Sequence, residues 1–472
     1  MLPILKNYAV WPAVIQTGKE NKLTITALGR TFLFFENEEY DITVITVDAD
    51  EADYSYPKTY KKLKVRASAG VLRFSFTPEG EGEHLILLDY KEKRLQEFQI
   101  YSVAEDLYRL RPLKGDFHSH TYRSDGAIDP AALAGYYREQ GYDFFSLTDH
   151  NRFWPGEEID ETFAGVATGF TRVNGEEVHA PDCPVHILHN GGTSSVTDVY
   201  WTDKERFDRE IAEYNEKVPE DIPDRYRDRY ARIMWAVDNI HAVDGLATFV
   251  HPFWKPGQSK INNVCEEFAR ILIGSGMFDA FELMGDVGGE MRNSTAALWG
   301  ELRACGLHIP VVGSSDVHTI GTAEQSFSNL FTICFAEKNE SGAIIAAVRN
   351  GLTVAVEATG YGYDRSFYCY GSMRLVSYAQ YLLRNYFPGM QSITEGEGTL
   401  MRKYAVGECE KEPIEAIAKL AEDFSLRFFG KKNPVLPTAE MLEFEHRWRE
   451  RQLQGPSSRG SRIYGIGITR QI

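Results

Sequence analysis

Paired cysteines, long apolar runs and a basic excess are what this 472-residue sequence lacks. Its six cysteines (Cys183, Cys265, Cys305, Cys334, Cys369 and Cys409) stand alone, with no C-x-x-C pair and no disulfide-framework spacing. That argues against a disulfide-stapled scaffold and fits a reducing, cytoplasmic setting. No apolar run reaches the length needed to cross a bilayer, and the start, MLPILKNYAVWPA, has no basic-then-apolar secretion pattern, so no membrane partner is expected. Lys and Arg number 51 against 68 Asp and Glu, a net charge of −17. Extended nucleic-acid binding, which relies on clustered cations, is therefore disfavoured. A small phosphate ester held in a locally cationic, metal-filled pocket is not. There is also no G-x-S-x-G, and so no nucleophile elbow of the serine-hydrolase kind.

What is present describes an ordinary globular protein, with 43% hydrophobic and 25% charged residues. The length exceeds one compact core, so two or three domains are expected. Residues 1–112 read as β structure: the runs 22–28, 41–48, 70–76, 84–90 and 96–102 are rich in β-branched and aromatic residues, separated by Gly and Asp breaks. Strands at that spacing suggest an N-terminal β-sandwich-like domain. From 113 to 357 strands and helices alternate, with a helical insertion at 203–242. Within it Tyr226, Tyr230, Ile233, Val237 and Ile240 fall on one helical face, which reads as core packing, with a lid over the site as the second reading. Residues 358–472 read as a mainly helical C-terminal extension without a chemical motif, ending in a Gly- and Ser-containing tail from 455 that is expected to be loosely held.

The stretch 114–151 carries the chemistry. In K-G-D-F-H-S-H, His118 and His120 are two apart, so on an extended strand their side chains leave one face. Asp125 precedes Gly126, where the chain can turn sharply back. The sequence then predicts a helix over 129–140, with Asp129 as N-cap, Pro130 in the first turn and Gly141 just past the end. A short strand over 142–147 follows and ends in Thr148-Asp149-His150. Two imidazoles, a carboxylate and a third imidazole at successive strand ends point to a metal site in a βαβ unit.

H-x-H followed by S-D-G and then T-D-H-N resembles the polymerase-and-histidinol-phosphatase (PHP) superfamily of metal-dependent phosphoesterases. Further motifs resemble that family in order: Gly175-Glu176-Glu177 its G-x-E, His186-Ile187-Leu188 its H-I-L, His251-Pro252 its H-P, and Ser315-Asp316-Val317-His318 its closing S-D-x-H. The resemblance covers residues 113–357. It implies an α/β fold, a distorted (β/α)7-type barrel with the site at the strands' C-terminal face. It nominates nine ligands: His118, His120, Asp125, His150, Glu177, His186, His251, Asp316 and His318. All but His186 are also expected to act in catalysis.

Nine N and O ligands exceed what one ion takes, so two or three divalent ions (Zn, Mn or Fe) are expected, with bridging carboxylates. Such ions lower the pKa of a shared water toward about 7 and neutralise charge on the phosphoryl group, so a small phosphate ester or nucleotide-sized diester could be hydrolysed without a protein nucleophile. Arg123, Arg152 and Lys255, each close in sequence to a ligand, are candidates for binding the phosphate. His84 is expected to be an ordinary half-buried strand residue, and His179, His189, His241, His308 and His446 to be ordinary hydrogen-bonded or solvated residues, with a supporting role open for His189. Two alternatives fit part of the pattern: a metal-stabilised non-catalytic binding module, and a metal-dependent hydrolase of a C–N bond. Nothing in the sequence fixes the oligomeric state.

Overall fold

Alternation sets the first architecture. In Glu39–Thr46, Tyr40, Ile42 and Val44 are buried while Glu39 and Asp41 are exposed, the period of two that makes a half-buried strand. The computed structural model describes residues 6–48, 52–53, 56–57, 60–257, 259–285, 288–321, 327–360 and 365–454. It divides into two compact units, Met1–Arg109 with Asp423–Ile472, and Leu110–Glu422.

In the first unit a three-stranded sheet (Tyr8–Trp11, Asn21–Ala27, Leu72–Phe76) and a five-stranded sheet (Val14–Gln16, Lys93–Val103, Gly82–Tyr90, Glu39–Thr46, Lys61–Arg66) share one core. Ile25 and Leu72 enter it from one sheet and Ile42, Ile86 and Ile100 from the other. The helix Ala439–Gln454 belongs to this unit: the Arg449 guanidinium lies 3.7 Å from the Phe35 ring centroid and donates to the Leu33 carbonyl. The 358–472 extension is therefore not one body. The division falls between Glu422 and Asp423, inside the helix Glu412–Phe428. The tail from 455, and 361–364, lie outside the described residues.

The second unit opens with the expected βαβ. Strand β1 (Arg111–Asp116) runs parallel to β2 (Phe144–Ser146) across α1 (Pro130–Glu139), whose N-cap Asp129 accepts from the Ala132 N–H at 3.0 Å. Next come β3 (Thr171–Val173), β4 (Gly175–His179), β5 (His186–Asn190), α2 (Lys204–Lys217), α3 (Arg227–Ala242), β6 (Leu246–Phe249) and α4 (Glu266–Gly274). The remainder is β7 (Ala280–Met284), α5 (Gly289–Ala304), β8 (Val311–Gly313), β9 (Leu330–Ala336), α6 (Ser341–Arg349), β10 (Thr353–Thr359), β11 (Ser366–Tyr370), α7 (Met373–Asn385) and α8 (Phe387–Ala405).

The ladders form two sheets rather than one closed parallel ring. One has the order β3-β2-β1-β9-β10-β11 and the other β4-β5-β6-β7-β8. The expected strand–helix alternation breaks at β4–β5, which pair antiparallel because the six residues 180–185 between them are too few for a helical crossover. It breaks again between β10 and β11, which no helix separates, and β9, β10 and β11 also pair antiparallel. Two isolated bridges, Ser119 to Val317 and His150 to Glu177, tie the two sheets together, each beside proposed ligands. The aromatic stripe on α3 is committed to the core: Tyr226, Tyr230, Ile233, Val237 and Ile240 are all buried.

Candidate metal centre

Five segments deliver the ligands to one place, one of them bringing His150 from the end of β2. His118 and His120 extend β1 past its last ladder residue, and both are fully buried. Asp125 returns toward them through a turn that requires glycine, since a Cβ on Gly126 would lie 2.6 Å from the His120 carbonyl oxygen. Glu177 sits on β4 and His186 on β5, while His251, Asp316 and His318 follow β6 and β8. His251 and Asp316 hold φ of +24° and +48°, a region costly for side-chain-bearing residues, and the neighbouring fold imposes it where the ligands turn inward.

Glu177 is the hub. Its Oε2 lies 2.8 Å from His150 Nδ1, 3.3 Å from His179 Nε2, and 3.5 Å from Nε2 of both His118 and His120. Its Oε1 lies 3.0 Å from His186 Nδ1 and 3.1 Å from His251 Nε2. Asp316 Oδ1 is 3.1 Å from His118 Nε2 and 3.0 Å from His120 Nε2. Asp125 reaches His150 Nε2 at 3.2 Å and His318 Nε2 at 3.3 Å. All nine expected ligands meet here, and His179 makes ten.

The charges are arranged for cations. Burial alone would raise Glu177, but His118, His186 and His179 pull its carboxyl well below the usual carboxylate range. Burial opposes protonation of His118, yet Asp316, Glu177 and Glu282 outweigh it and hold the ring well above the ordinary imidazole value. At His150, the neighbouring carboxylates of Asp125 and Glu177 likewise overcome burial and push it up to about 10. At His186 burial wins, taking it down to about 4 despite Glu177.

The hydrogen-bond pattern makes the same point. His118 Nε2, both ring nitrogens of His120, Glu177 Oε2, His186 Nδ1 and Asp316 Oδ1 are buried without a hydrogen-bond partner. Leaving such atoms unmet is costly, and they lie within ion-pair distance of one another without hydrogen-bond geometry. Lone pairs converging on a shared centre fit that description. Around them, Glu282 Oε2 lies 3.0 Å from His118 Nδ1, orienting the ring so that its other nitrogen faces inward. Asp116 accepts from the His118 and Ser315 N–H groups, and Asp149 accepts from Thr121 and Ser124, so both ends of the H-x-H segment are tied down.

The three proposed phosphate-binding cations are placed differently. Arg123 pairs with Glu158, at 2.6 and 2.8 Å, and lies over the Tyr122 ring. Lys255 lies 3.6 Å from Glu290, and Arg152 is exposed. Among the described residues no ion pair or hydrogen bond joins any of these side chains to the ligand cluster. His189 packs into a separate buried network, with Nδ1 3.2 Å from Glu176. His84, expected to be half-buried, is fully buried between Thr46 and Ser102. His179, expected to be an ordinary residue, lies inside the cluster 3.3 Å from Glu177 Oε2, and Glu282 is a neighbour of His118 that the motifs did not show.

No protein-family model matches the chain. A 58-residue stretch is 36% identical to the DNA polymerase/3'-5' exonuclease PolX of Bacillus subtilis, covering 12% of this chain and 10% of that protein. A two-domain Bacteroides vulgatus protein with a predicted PHP-like metal-dependent phosphoesterase aligns over 52% of this chain and 65% of its own, at 19% identity and a TM-score of 0.36. A Bifidobacterium adolescentis protein, classed by inference as a metal-dependent phosphoesterase, aligns over 44% and 89%, at 17% identity and a TM-score of 0.31. This chain spans about a tenth of the polymerase and under two thirds of the Bacteroides chain. Among the described residues no helix is long and apolar enough to cross a membrane.

Proposed function

We propose that the second unit is a metal-dependent phosphoesterase, acting on a small phosphate ester or a nucleotide-sized diester and holding two or three divalent ions, with Zn, Mn and Fe the candidates. The observation that carries this is the convergence of ten His, Asp and Glu side chains, Glu177 among them, with six of their buried atoms lacking hydrogen-bond partners. The imidazole and carboxylate donor set, without sulfur, suits those metals. Bound there, such ions would activate water and neutralise charge developing on a phosphoryl group.

The chain's own contribution is placement. The two oxygens of Glu177 face two different groups of imidazoles, so this one carboxylate would help to hold more than one ion. Asp316 Oδ1 is shared between His118 and His120, and Asp125 between His150 and His318. The six cysteines are free thiols, and none belongs to the cluster, so no thiol nucleophile is at hand. The test measures metal content and hydrolysis of nitrophenyl phosphate and bis-nitrophenyl phosphate with Mn²⁺, Zn²⁺ or Fe²⁺. More than one equivalent of metal is expected, with turnover that Asp316→Ala lowers at least about 100-fold, the fold being unchanged by circular dichroism. Saturation at one ion, or full metal loading without hydrolysis of either ester, would overturn the proposal.

A further inference from the structure

The motifs account for every imidazole of the cluster except His179. It is the last residue of β4, two beyond Glu177, so both side chains leave the strand on one face. Its partner across the β4–β5 ladder is His186, and the two rings stack with centroids 3.5 Å apart. The backbone N–H of His179 donates to the Asn151 side chain at 2.8 Å, which ties this end of β4 to the segment carrying His150.

Stacking on His186 accounts for a flat side chain here, but any aromatic ring would serve that purpose. It does not account for where the nitrogen lies. His179 Nε2 is 3.1 Å from His150 Nδ1 and 3.3 Å from Glu177 Oε2, and those two atoms are 2.8 Å apart. Ligand atoms about 2.0 Å from one ion in a tetrahedral shell stand roughly 3.3 Å from each other, close to these separations. Glu177 Oε2 is also buried without a hydrogen-bond partner, although both ring nitrogens stand beside it. An N–H aimed from either ring would have met that need, and neither ring supplies one. His150 meanwhile faces two ways, with its other nitrogen, Nε2, 3.2 Å from Asp125. A neutral imidazole has one lone pair. His150 can therefore serve an ion beside Asp125 and His318 or one beside Glu177 and His179, but not both.

We propose that His179 is a metal ligand outside the motif set and that, with His150 Nδ1 and Glu177 Oε2, it makes an alternative position for one ion at the mouth of the cluster. Without His179, the other two atoms fall short of the three protein ligands that an open metal site uses. The His150 and His179 side chains are each 25% exposed, against 1% for Glu177, so an ion held there meets solvent on one side. The inference rests on reading the cluster as a metal centre. It adds a place to which an ion can move when the ligands around Asp125 release it.

The test loads the full chain with Co²⁺ and follows two readouts, chelator competition and the hyperfine-shifted imidazole resonances in proton NMR. Asp125→Ala removes the competing position at an exposed residue and is expected to keep as many equivalents of Co²⁺ as the wild type. Adding His179→Phe, which keeps the stack on His186 but removes the nitrogens, should weaken one of those ions at least about tenfold. The double variant should also lose one set of shifted imidazole resonances, which a residue acting only through its neighbours would not contribute. His179→Asn on the same background gives the same result without the ring, with folding of both checked by circular dichroism. An equivalent of metal lost in Asp125→Ala alone would overturn the alternative position. So would Asp125→Ala affinity in both double variants, or weaker binding with every shifted resonance retained. Wild-type protein that takes up no Co²⁺ would overturn the metal-centre reading itself, and this inference with it.

Discussion

Glu282 shows what residue-scale reading can and cannot reach. The H-x-H pair was legible because two residues on a strand share a face, and its nomination as a ligand pair followed from the company it kept. The same rule applied to β4 would have found His179, two residues after Glu177 and directly across from His186 in the β4–β5 ladder. Glu282 left only a weak signal, a carboxylate inside the apolar run AFELM, where an unpaired charge is seldom tolerated. Its partner His118 lies 164 residues away, a pairing the sequence does not display. Arg123 fails the other way: nearness to Asp125 in sequence says nothing of Glu158, which holds its guanidinium. Glu282→Gln keeps the shape but removes the charge that orients His118. Metal affinity, measured by competition with a chelator, should fall about 10- to 100-fold with the fold intact. Unchanged affinity would show that the His118 ring is set by packing alone.

At the scale of elements, strands of alternating pattern were found close to their true bounds, as with 39–46 and 82–90 against the expected 41–48 and 84–90. The strands at 8–11, 14–16 and 61–66 were missed, the first two being short and the third, KKLKVR, mostly lysine and arginine on an edge. Edge strands carry such charges to block further pairing, which hides them from a search for apolar runs. Within the first unit, His84 on the strand Gly82–Tyr90 makes a prediction of its own. Burial lowers it to about 4, and it bonds Thr46 and Ser102. An unfolded histidine takes a proton near pH 6.5, whereas the folded one resists until about pH 4. The neutral ring's contribution is therefore complete above pH 6.5 and is lost progressively as the pH falls toward 4. That gap, at about 1.4 kcal/mol per pH unit, is on the order of 3 kcal/mol. Urea unfolding followed by probes in this sandwich, at pH 7.5 and 4.5, should show a loss that His84→Gln reduces by about 2 to 3 kcal/mol. An identical loss in the variant would place the acid sensitivity elsewhere.

On the scale of the whole molecule, composition bounded the problem without locating its divisions. The change from strands alone to mixed structure near residue 112 lies close to the division at Arg109. The return of Asp423–Ile472 to the first unit was not legible, because helices of that composition carry no mark of which core they will join. Net charge is the one global property with a direct functional consequence. At −17 the chain repels a long polyanion, and of the three cations proposed near the ligands, Arg123 and Lys255 already have carboxylate partners. A small ester needs only the local field of the cluster, whereas duplex DNA must be held at many phosphates by lysines and arginines that are free to release its counterions. Mn²⁺-supported hydrolysis should therefore be faster on nitrophenyl phosphates, mononucleotides and cyclic nucleotides than on duplex DNA. Any residual DNA binding should change little in log K with log salt concentration, because few phosphates are neutralised. Duplex turnover exceeding that of every small ester, or tight duplex binding that weakens steeply between low and moderate salt, would mean that cations distant in sequence form a groove the net charge conceals.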